Sequence, residues 1–280
     1  MLARSDARFP PRLKAIFDPP RSLFLRGSAE PELLGRRAVG VVGARSCSPY
    51  GAQVARMLGR ELAAAGVVVV SGLARGIDGE AHRGALECGG PTVGVLGCGI
   101  DRDYPAANAS LSRRMEDGGL VVSEYEAGVE PAPWRFPARN RIIAGLCEAV
   151  VVVEARERSG ALITVDFALE EGREVFAVPG EITSALSVGS NALLRLGATP
   201  LTGSGDVLEA LGIERAAAAE DPDVSEAAKR VLGLVRDAPS GADELVARAS
   251  LEAGAVSVAL TELELAGLVA AADGLYRAVR

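Results

Sequence analysis

The chain has 280 residues, of which 49% are hydrophobic and 24% charged, and its formal net charge is −7. Its length allows two domains that each bury a core, and a composition rich in Ala, Val, Leu and Gly is typical of a globular α/β protein. The sequence contains neither an apolar run near the ~20 residues that cross a bilayer nor the apolar start of a secretory signal, so we expect a cytoplasmic protein.

From Ala38 onward, short runs of β-branched residues alternate with helical stretches. Continuous Val-rich runs indicate strands that are buried on both faces, as in a parallel sheet. The strands are predicted at 38–43, 66–72, 92–97, 120–124, 149–155 and 174–180. Helices are predicted at 50–66, 79–89, 138–147 and 161–173. Repeated βα units of this size predict a Rossmann-like, doubly wound, mostly parallel sheet that binds ligands at the carboxyl ends of its strands.

Near residue 213 the pattern changes. Residues 214–224 are polar and Ala-rich, which predicts a linker. Three short amphipathic helices and two strands around an Asp273-Gly274 turn follow it, which outlines a small winged-helix-like domain at 225–280. A generic small helical domain is the alternative. The helices are predicted at 225–237, 242–249 and 256–267, and the hairpin at 268–279. The remaining boundaries are an extension at 1–37, which we expect to pack on the Rossmann-like domain at 38–213.

The charge is distributed unevenly along the chain. Residues 1–60 carry +7, residues 61–215 carry −9 and residues 216–280 carry −5. The overall acidity therefore does not exclude nucleic acid, because binding depends on a local basic patch rather than on the total charge. The acidic C-terminal domain is expected to contact protein rather than DNA.

The first loop with candidate functional residues follows the strand at 38–43. Arg45 supplies a guanidinium, Ser46 and Ser48 can cap the next helix, and Pro49 opens that helix. A helix N-terminus beside an arginine is an anion site, and a plain βα turn is the alternative. The GxGxxG fingerprint of dinucleotide binding is missing here.

The second loop follows the strand at 66–72. Gly72 and Gly76 belong to a small-residue loop whose backbone N–H groups can approach a phosphate. Asp78 and His82 follow at helical spacing, which permits either an acid–base pair or structural support of the loop with a hydrogen bond between them. We favour the structural interpretation, because no nucleophile in a recognisable context accompanies this His.

A third stretch, residues 134–145, combines arginines with aromatic side chains. Arginines bind phosphates bidentately, and aromatic rings provide stacking platforms for bases. We predict that these arginines lie at a strand-to-helix loop on the ligand edge, with Pro137 at the beginning of the helix; a solvated charged surface is the alternative. The residues are Trp134, Arg135, Phe136, Arg139, Asn140 and Arg141. A fourth candidate, Ser159, Gly160 and Thr164, suits an anion contact or simple helix capping.

Taken in order, seven blocks of this sequence resemble the DprA/Smf family. They include VVGARSCSPYGAQVAR, SGLARGIDGEAHRGAL, GGPTVGVLGCGIDRDYPAAN, SEYEAGVEPAPWRFPARNRIIAGL and VVEARERSGALITVDFALEEGREVFAVPG, and the resemblance spans roughly residues 9–211. It implies a mediator of natural transformation and homologous recombination that binds and protects incoming single-stranded DNA. Such proteins help to load the RecA recombinase, including past single-strand-binding protein, and act as homodimers without a cofactor.

Together, the resemblance and the anion contacts define one predicted DNA-binding set. It comprises Arg45, Ser46, Gly72, Ala74, Gly76, Arg135, Arg139, Asn140, Arg141, Ser159, Gly160 and Thr164.

Three other functional classes remain as alternatives. A nucleotide phosphoribohydrolase needs a PGGxGTxxE loop and a dehydrogenase needs GxGxxG, and the sequence has neither. A small-ligand sensor using the same pocket is the third. The four cysteines are widely spaced without a CxxC pair, which argues against a disulfide framework or a zinc site. We therefore predict no catalytic residues, no metal and no enzymatic activity.

Overall fold

The computed structural model describes residues 1–213, 224–272 and 274–278. The chain divides into two compact units, residues 1–216 and residues 217–280, each with its own hydrophobic core. The predicted linker at 214–224 lies outside the described residues except for Val224, which is buried. None of the helices in the described ranges has the length and apolarity needed to cross a bilayer.

A single sheet organises residues 1–213. Its strands are β1 (Leu2–Ala3), β2 (Ser22–Arg26), β3 (Ala38–Val42), β4 (Val68–Ser71), β5 (Thr92–Leu96), β6 (Leu120–Ser123), β7 (Ala149–Val152), β8 (Glu174–Ala177) and β9 (Thr199–Pro200). The spatial order is β1-β2-β6-β5-β4-β3-β7-β8-β9. The strands from β6 to β9 pair in parallel, whereas β2 pairs antiparallel with β6 and β1 antiparallel with β2.

Helices cover both faces of this sheet. They are α1 (Pro11–Lys14), α2 (Pro49–Ala64), α3 (Ile77–Glu87), α4 (Ala109–Met115), α5 (Arg135–Leu146), α6 (Gly160–Glu170), α7 (Val188–Arg195) and α8 (Ser204–Ala210). Short 3₁₀ helices span Pro31–Gly35 and Ala106–Asn108. Core residues of α1, α5 and α6 pack on one face, and those of α2, α3 and α8 pack on the other.

The Val-rich strands are buried because each face of the sheet meets a helical layer. Along β3, Val39 and Val41 belong to the core under α2 and α3, whereas Ala38 and Val42 belong to the core under α5. This alternation follows from the two-residue period of a strand. Every residue of β3 therefore needs an apolar or small side chain, which explains the continuous hydrophobic run.

The order of the strands defines where a ligand can bind. Strand β3 lies between β4 and β7, so the chain leaves β3 toward one side of the sheet and leaves β7 toward the other. In open α/β sheets, a crevice forms outside the carboxyl ends of the strands at such a switch point. The loops that follow β3 and β7 therefore border the expected binding site.

The second unit contains three helices and a hairpin. They are α9 (Glu226–Asp237), α10 (Ala242–Ala249), α11 (Ala253–Leu265), β10 (Val269–Ala272) and β11 (Leu275–Ala278). The two strands pair antiparallel, with Val269 opposite Ala278. Gly274 has a φ of 76°, which a hairpin turn of this kind requires, while Asp273 lies outside the described residues. The three helices and the hairpin form a winged-helix domain around one apolar core.

The structure confirms the predicted fold class. The six predicted strands are all present and shorter by one to three residues. Helix α5 differs from the predicted helix at 138–147, because it begins three residues earlier, at Arg135. The arginines therefore lie on a helix rather than in a loop. Pro137 is the third residue of α5 and not its beginning, which is tolerated because the first-turn N–H groups of a helix lack intrahelical acceptors.

Candidate nucleic-acid interface

A cavity of about 340 Å³ opens at the carboxyl edge of the sheet, between the loops that follow β3 and β7. Its lining includes Arg45, Ser46, Ala74, Asp78, Phe136, Arg139, Asn140, Arg156, Arg158, Ser159, Gly160 and Thr164. We call it the first cavity. Eight of the twelve predicted DNA-binding residues border it, whereas the other four, Gly72, Gly76, Arg135 and Arg141, do not.

The loop after β3 is anchored by a buried carboxylate. Glu154, at the end of β7, accepts a hydrogen bond from the backbone N–H of Ser48 at 2.9 Å and another from the Ser48 hydroxyl. The same hydroxyl caps α2 by accepting from the Gly51 N–H at 3.0 Å. These contacts hold Ser48 inside, and they leave Arg45 and Ser46 exposed at the cavity.

The loop after β4 uses its N–H groups internally. The Asp78 carboxylate accepts from the backbone N–H groups of Gly72 at 3.1 Å and Ala74 at 3.4 Å. The N–H groups of Gly72 and Ala74 therefore already have an acceptor within the protein, which argues against their predicted contact with phosphate. Burial raises the pKa of Asp78, and the nearby Arg139 charge opposes that rise. Asp78 supports the loop, as the structural interpretation predicted.

His82 does not pair with Asp78, so the predicted hydrogen bond between them is wrong. Its Nδ1 instead lies 2.7 Å from the Thr92 hydroxyl, because the buried side of α3 turns this ring toward β5. The ring is fully buried, and burial lowers its pKa to about 3, with the Arg139 and Arg83 charges adding to the effect. A neutral, enclosed imidazole of this kind has a packing role.

Three predicted arginines of α5 have three different environments. Arg139 is buried and donates to the carbonyl oxygens of Gly72 at 2.9 Å and of Val95, which ties α5 to the ends of β4 and β5. Burial lowers its pKa to about 10. Asn140 accepts from Arg139 and donates to the Gly160 carbonyl, which fixes the start of α6. Both residues border the first cavity while supporting its walls.

Arg141 and Arg135 lie away from the first cavity. Arg141 donates to both oxygens of Glu124, at 2.9 and 2.8 Å, and to Asp18 at 2.9 Å, beside a separate cavity that Arg21 also lines. Its charge is therefore neutralised. Arg135 lies over the rings of Tyr125 and Trp134, with 5.0 and 4.8 Å between its Cζ and the ring centroids.

Exposed arginines that the sequence analysis did not select complete the site. Arg156 and Arg158 follow β7 and border the first cavity. Arg75 borders a second cavity that adjoins the first. Together with Arg45, they have no carboxylate partner among the residues that the structure describes. The signal in the sequence is EARERSG, which places two arginines between a buried strand and the Ser159 cap of α6.

A second cavity, also about 340 Å³, adjoins the first. Arg45, Ala74, Phe136 and Arg139 line both cavities. The Tyr104 ring lies on Phe136, with 5.1 Å between the ring centroids, and the Arg45 guanidinium lies 5.6 Å from the centroid of Phe136. The two cavities thus present arginines and aromatic rings along one edge of the sheet. In the described ranges, no cluster of His, Cys, Asp or Glu could hold a metal ion.

Comparison with known proteins gives consistent matches. The family model described as DNA recombination-mediator protein A matches residues 1–212, and that of the DprA winged helix domain matches residues 215–274. The chain is 48% identical over 207 residues to DNA processing protein DprA of Streptococcus pneumoniae, which covers 72% of this chain and 71% of that protein. It is 41% identical over 291 residues to Protein Smf of Escherichia coli, covering 100% of this chain and 77% of that protein.

Two solved structures agree with the sequence matches. The X-ray structure of DprA from Streptococcus pneumoniae superimposes with a TM-score of 0.71 at 46% identity, covering 74% of this chain and 72% of that one. DprA from Helicobacter pylori, whose structure concerns its single-stranded DNA binding mode, has a TM-score of 0.66 at 31% identity, covering 72% of this chain and 92% of that one. The chain therefore belongs to the DprA/Smf family of DNA recombination mediators.

Proposed function

We propose that this chain binds single-stranded DNA at the first and second cavities and acts as a recombination mediator. The observation that carries the proposal is the concentration of exposed arginines at one edge of the sheet: Arg45, Arg75, Arg156 and Arg158 have no carboxylate partner among the described residues. The single-stranded DNA binding mode of the Helicobacter pylori relative supports the same ligand.

The chemistry of the edge suits a flexible strand better than a duplex. Guanidinium groups bind phosphates, and aromatic rings such as Phe136 and Tyr104 stack on bases that a single strand leaves free. A duplex hides its bases in the stack and is too stiff to enter cavities of about 340 Å³. The −9 charge of residues 61–215 also repels a wide polyanion that approaches elsewhere.

The test measures the affinity of a labelled oligonucleotide at several salt concentrations. Arg45→Ala and Arg158→Ala each remove one phosphate contact, so each flattens the plot of log K against log salt by about 0.7. Arg114→Ala removes the same charge from α4, outside both cavities, and leaves the slope unchanged. Unlabelled single strands compete better than duplex of the same length. Wild-type slopes in both cavity variants would remove this site from the proposal.

As a mediator, the protein protects incoming single-stranded DNA in the cytoplasm and helps to load RecA during natural transformation. Membership of the recombination-mediator family supports this role. The direct test is the assembly of RecA on DNA that is already coated with single-strand-binding protein. We expect faster assembly with the wild-type protein than with Arg158→Ala. The same rate with the wild type, with Arg158→Ala and without added protein would contradict the loading role.

We also propose that the protein works as a homodimer. Three apolar side chains around α7 are strongly exposed: Ile182 at 94%, Leu196 at 84% and Val188 at 45%. Contiguous exposed apolar patches mark protein contacts, and we propose that these side chains belong to one. Light scattering should give about twice the chain mass of 28.8 kDa. Leu196→Glu should shift the measured mass toward that of a single chain. A monomeric wild type would contradict the proposal.

The same site gives no support for catalysis. Glu154 is engaged by Ser48, Glu124 by Arg141 and His82 by Thr92, so these three candidates for a general acid or base have structural partners. We propose that the protein turns over no nucleotide. Incubation with ATP and with nucleoside monophosphates, with and without magnesium, should release no phosphate, base or ribose phosphate. Turnover that disappears in Glu154→Gln would favour the phosphoribohydrolase alternative.

A further inference from the structure

The second cavity has the features of a binding site in its own right. Its lining combines three cations, Arg45, Arg75 and Arg139, with the rings of Tyr104 and Phe136, and includes no Asp or Glu. Carboxylates in the adjacent loop are paired elsewhere: Asp103 binds Arg26, and Asp101 accepts from the Gly128 N–H. The cavity is therefore electropositive and has one aromatic wall, which is suited to an anionic ligand with a flat ring.

The shared wall between the cavities indicates how a ligand would cross from one to the other. Phe136 borders both cavities, and the exposed guanidinium of Arg45 lies over its ring while bordering both as well. Arg139 is also shared, but its hydrogen bonds to Gly72 and Val95 commit it to the protein. Arg45 is therefore the shared cation that remains exposed to a ligand.

Tyr104 and Arg75 distinguish the second cavity from the first. One face of the Tyr104 ring lies on Phe136, at an interplanar angle of 22°, and the residue as a whole remains 41% exposed. A base that stacks on the free face of Tyr104 would extend the existing aromatic stack. Arg75 is exposed, lies in the loop that follows β4 and has no carboxylate partner among the described residues.

We propose that the two cavities bind two consecutive nucleotides of one strand, with Arg45 on the phosphate that joins them. In the second cavity, Tyr104 stacks on the base and Arg75 binds the outer phosphate. This inference rests on the proposed single-stranded DNA binding and adds a position-specific subsite to it. The ligand class is a dinucleotide step, because one cavity alone accounts for neither the shared Arg45 nor the stack that ends in the second cavity.

The experiment uses the full chain and a short oligothymidylate that carries one 2-aminopurine, whose fluorescence falls when its ring stacks. Tyr104→Ala should weaken binding about tenfold and reduce the quenching, because stacking of one base on an aromatic ring contributes at that level. Tyr104→Phe keeps the ring and should retain both signals. Arg75→Gln should flatten the salt dependence by about 0.7, while Arg114→Gln, on α4 and outside both cavities, should not.

A second arm tests the joining phosphate. The dinucleotide pTpT should bind at least tenfold more tightly than thymidine monophosphate, and a neutral methylphosphonate link should remove that advantage. Wild-type behaviour of both Tyr104→Ala and Arg75→Gln, with Arg158→Ala still weakened, would overturn the subsite and leave the proposed function intact. Tight binding of thymidine monophosphate alone, unaffected by chain length, would overturn it in favour of a small-ligand site. Failure of the wild type to bind any single strand would remove both proposals.

Discussion

The guanidinium of Arg139 occupies the space that a side chain at Gly72 would need. A Cβ at Gly72 would lie 2.7 Å from Cζ of Arg139 and would displace the guanidinium from the Gly72 and Val95 carbonyls. A buried cation without its acceptors is costly, so Gly72→Ala should lower the free energy of unfolding by about 2–4 kcal/mol. Urea unfolding measures this. Gly35→Ala is the control, since nothing lies within 4 Å of its new Cβ; equal stability of both variants would contradict the explanation.

His82 should make the stability depend on pH. Its pKa is about 3 in the folded protein and about 6.5 when unfolded, so between these values the unfolded chain binds more protons. Stability therefore rises with pH through this window and is lost as the pH falls, by about 1.4 kcal/mol per unit at most. His82→Gln removes this contribution and leaves the raised pKa of Asp78 in place, which makes stability fall as the pH rises, so the stability of the variant should rise less with pH than that of the wild type. Parallel profiles between pH 4 and 6 would contradict a buried, neutral His82.

At the scale of elements, α2 and α3 approach so closely that two glycines decide the contact. A Cβ at Gly59 would collide with the Ala81 carbonyl oxygen, and one at Gly84 would collide with the Arg56 carbonyl oxygen. Both obstacles are backbone atoms, which cannot move aside without separating the helices. Gly84→Ala should therefore destabilise by about 1–3 kcal/mol, although Ala favours an isolated helix by about 1 kcal/mol. Thermal unfolding beside Gly35→Ala measures the difference, and a stabilised Gly84→Ala would contradict the close packing.

The regular elements could be predicted because their signal is local. A strand buried on both faces needs a continuous apolar run. The Val-rich segments that form β3, β4 and β7 are such runs and can be recognised from the sequence alone. Strands β1 and β2 carry no such run. Strand β2 pairs with β6, about 100 residues away along the chain, and the edge strand β1 pairs with β2, so the position of both depends on a partner that cannot be seen locally.

The site could be predicted only in part, because the state of a charge depends on distant partners. Arg141 has the same local context as Arg139, yet Asp18 neutralises it from 123 residues away. Conversely, nothing local to Arg156 and Arg158 selects them, and only the fold brings them into the lining of the first cavity together with Arg45. Sequence spacing identified the edge of the sheet, and the ion pairs of the fold decide which arginines remain free there.

At the scale of the whole molecule, the two compact units differ in charge. The predicted DNA-binding residues all lie in the first unit, whereas residues 216–280 carry −5. Helix α11 occupies the third helical position of the winged-helix domain and contains no Lys or Arg. Binding of nucleic acid depends on local positive charge, so this domain contributes little attraction to phosphate. We propose that it contacts a protein partner instead.

Deletion of residues 214–280 should therefore leave single-stranded DNA binding largely intact. The remaining chain keeps both cavities and the two apolar cores that flank its sheet, so we expect it to fold. Oligonucleotide affinity at one stated salt concentration, with circular dichroism of both proteins as the check on folding, measures the effect. A folded deletion protein whose affinity falls tenfold or more, a change of about 1.4 kcal/mol, would show that the acidic domain takes part in binding DNA. Unchanged affinity together with slower RecA assembly would assign the domain to protein contacts instead.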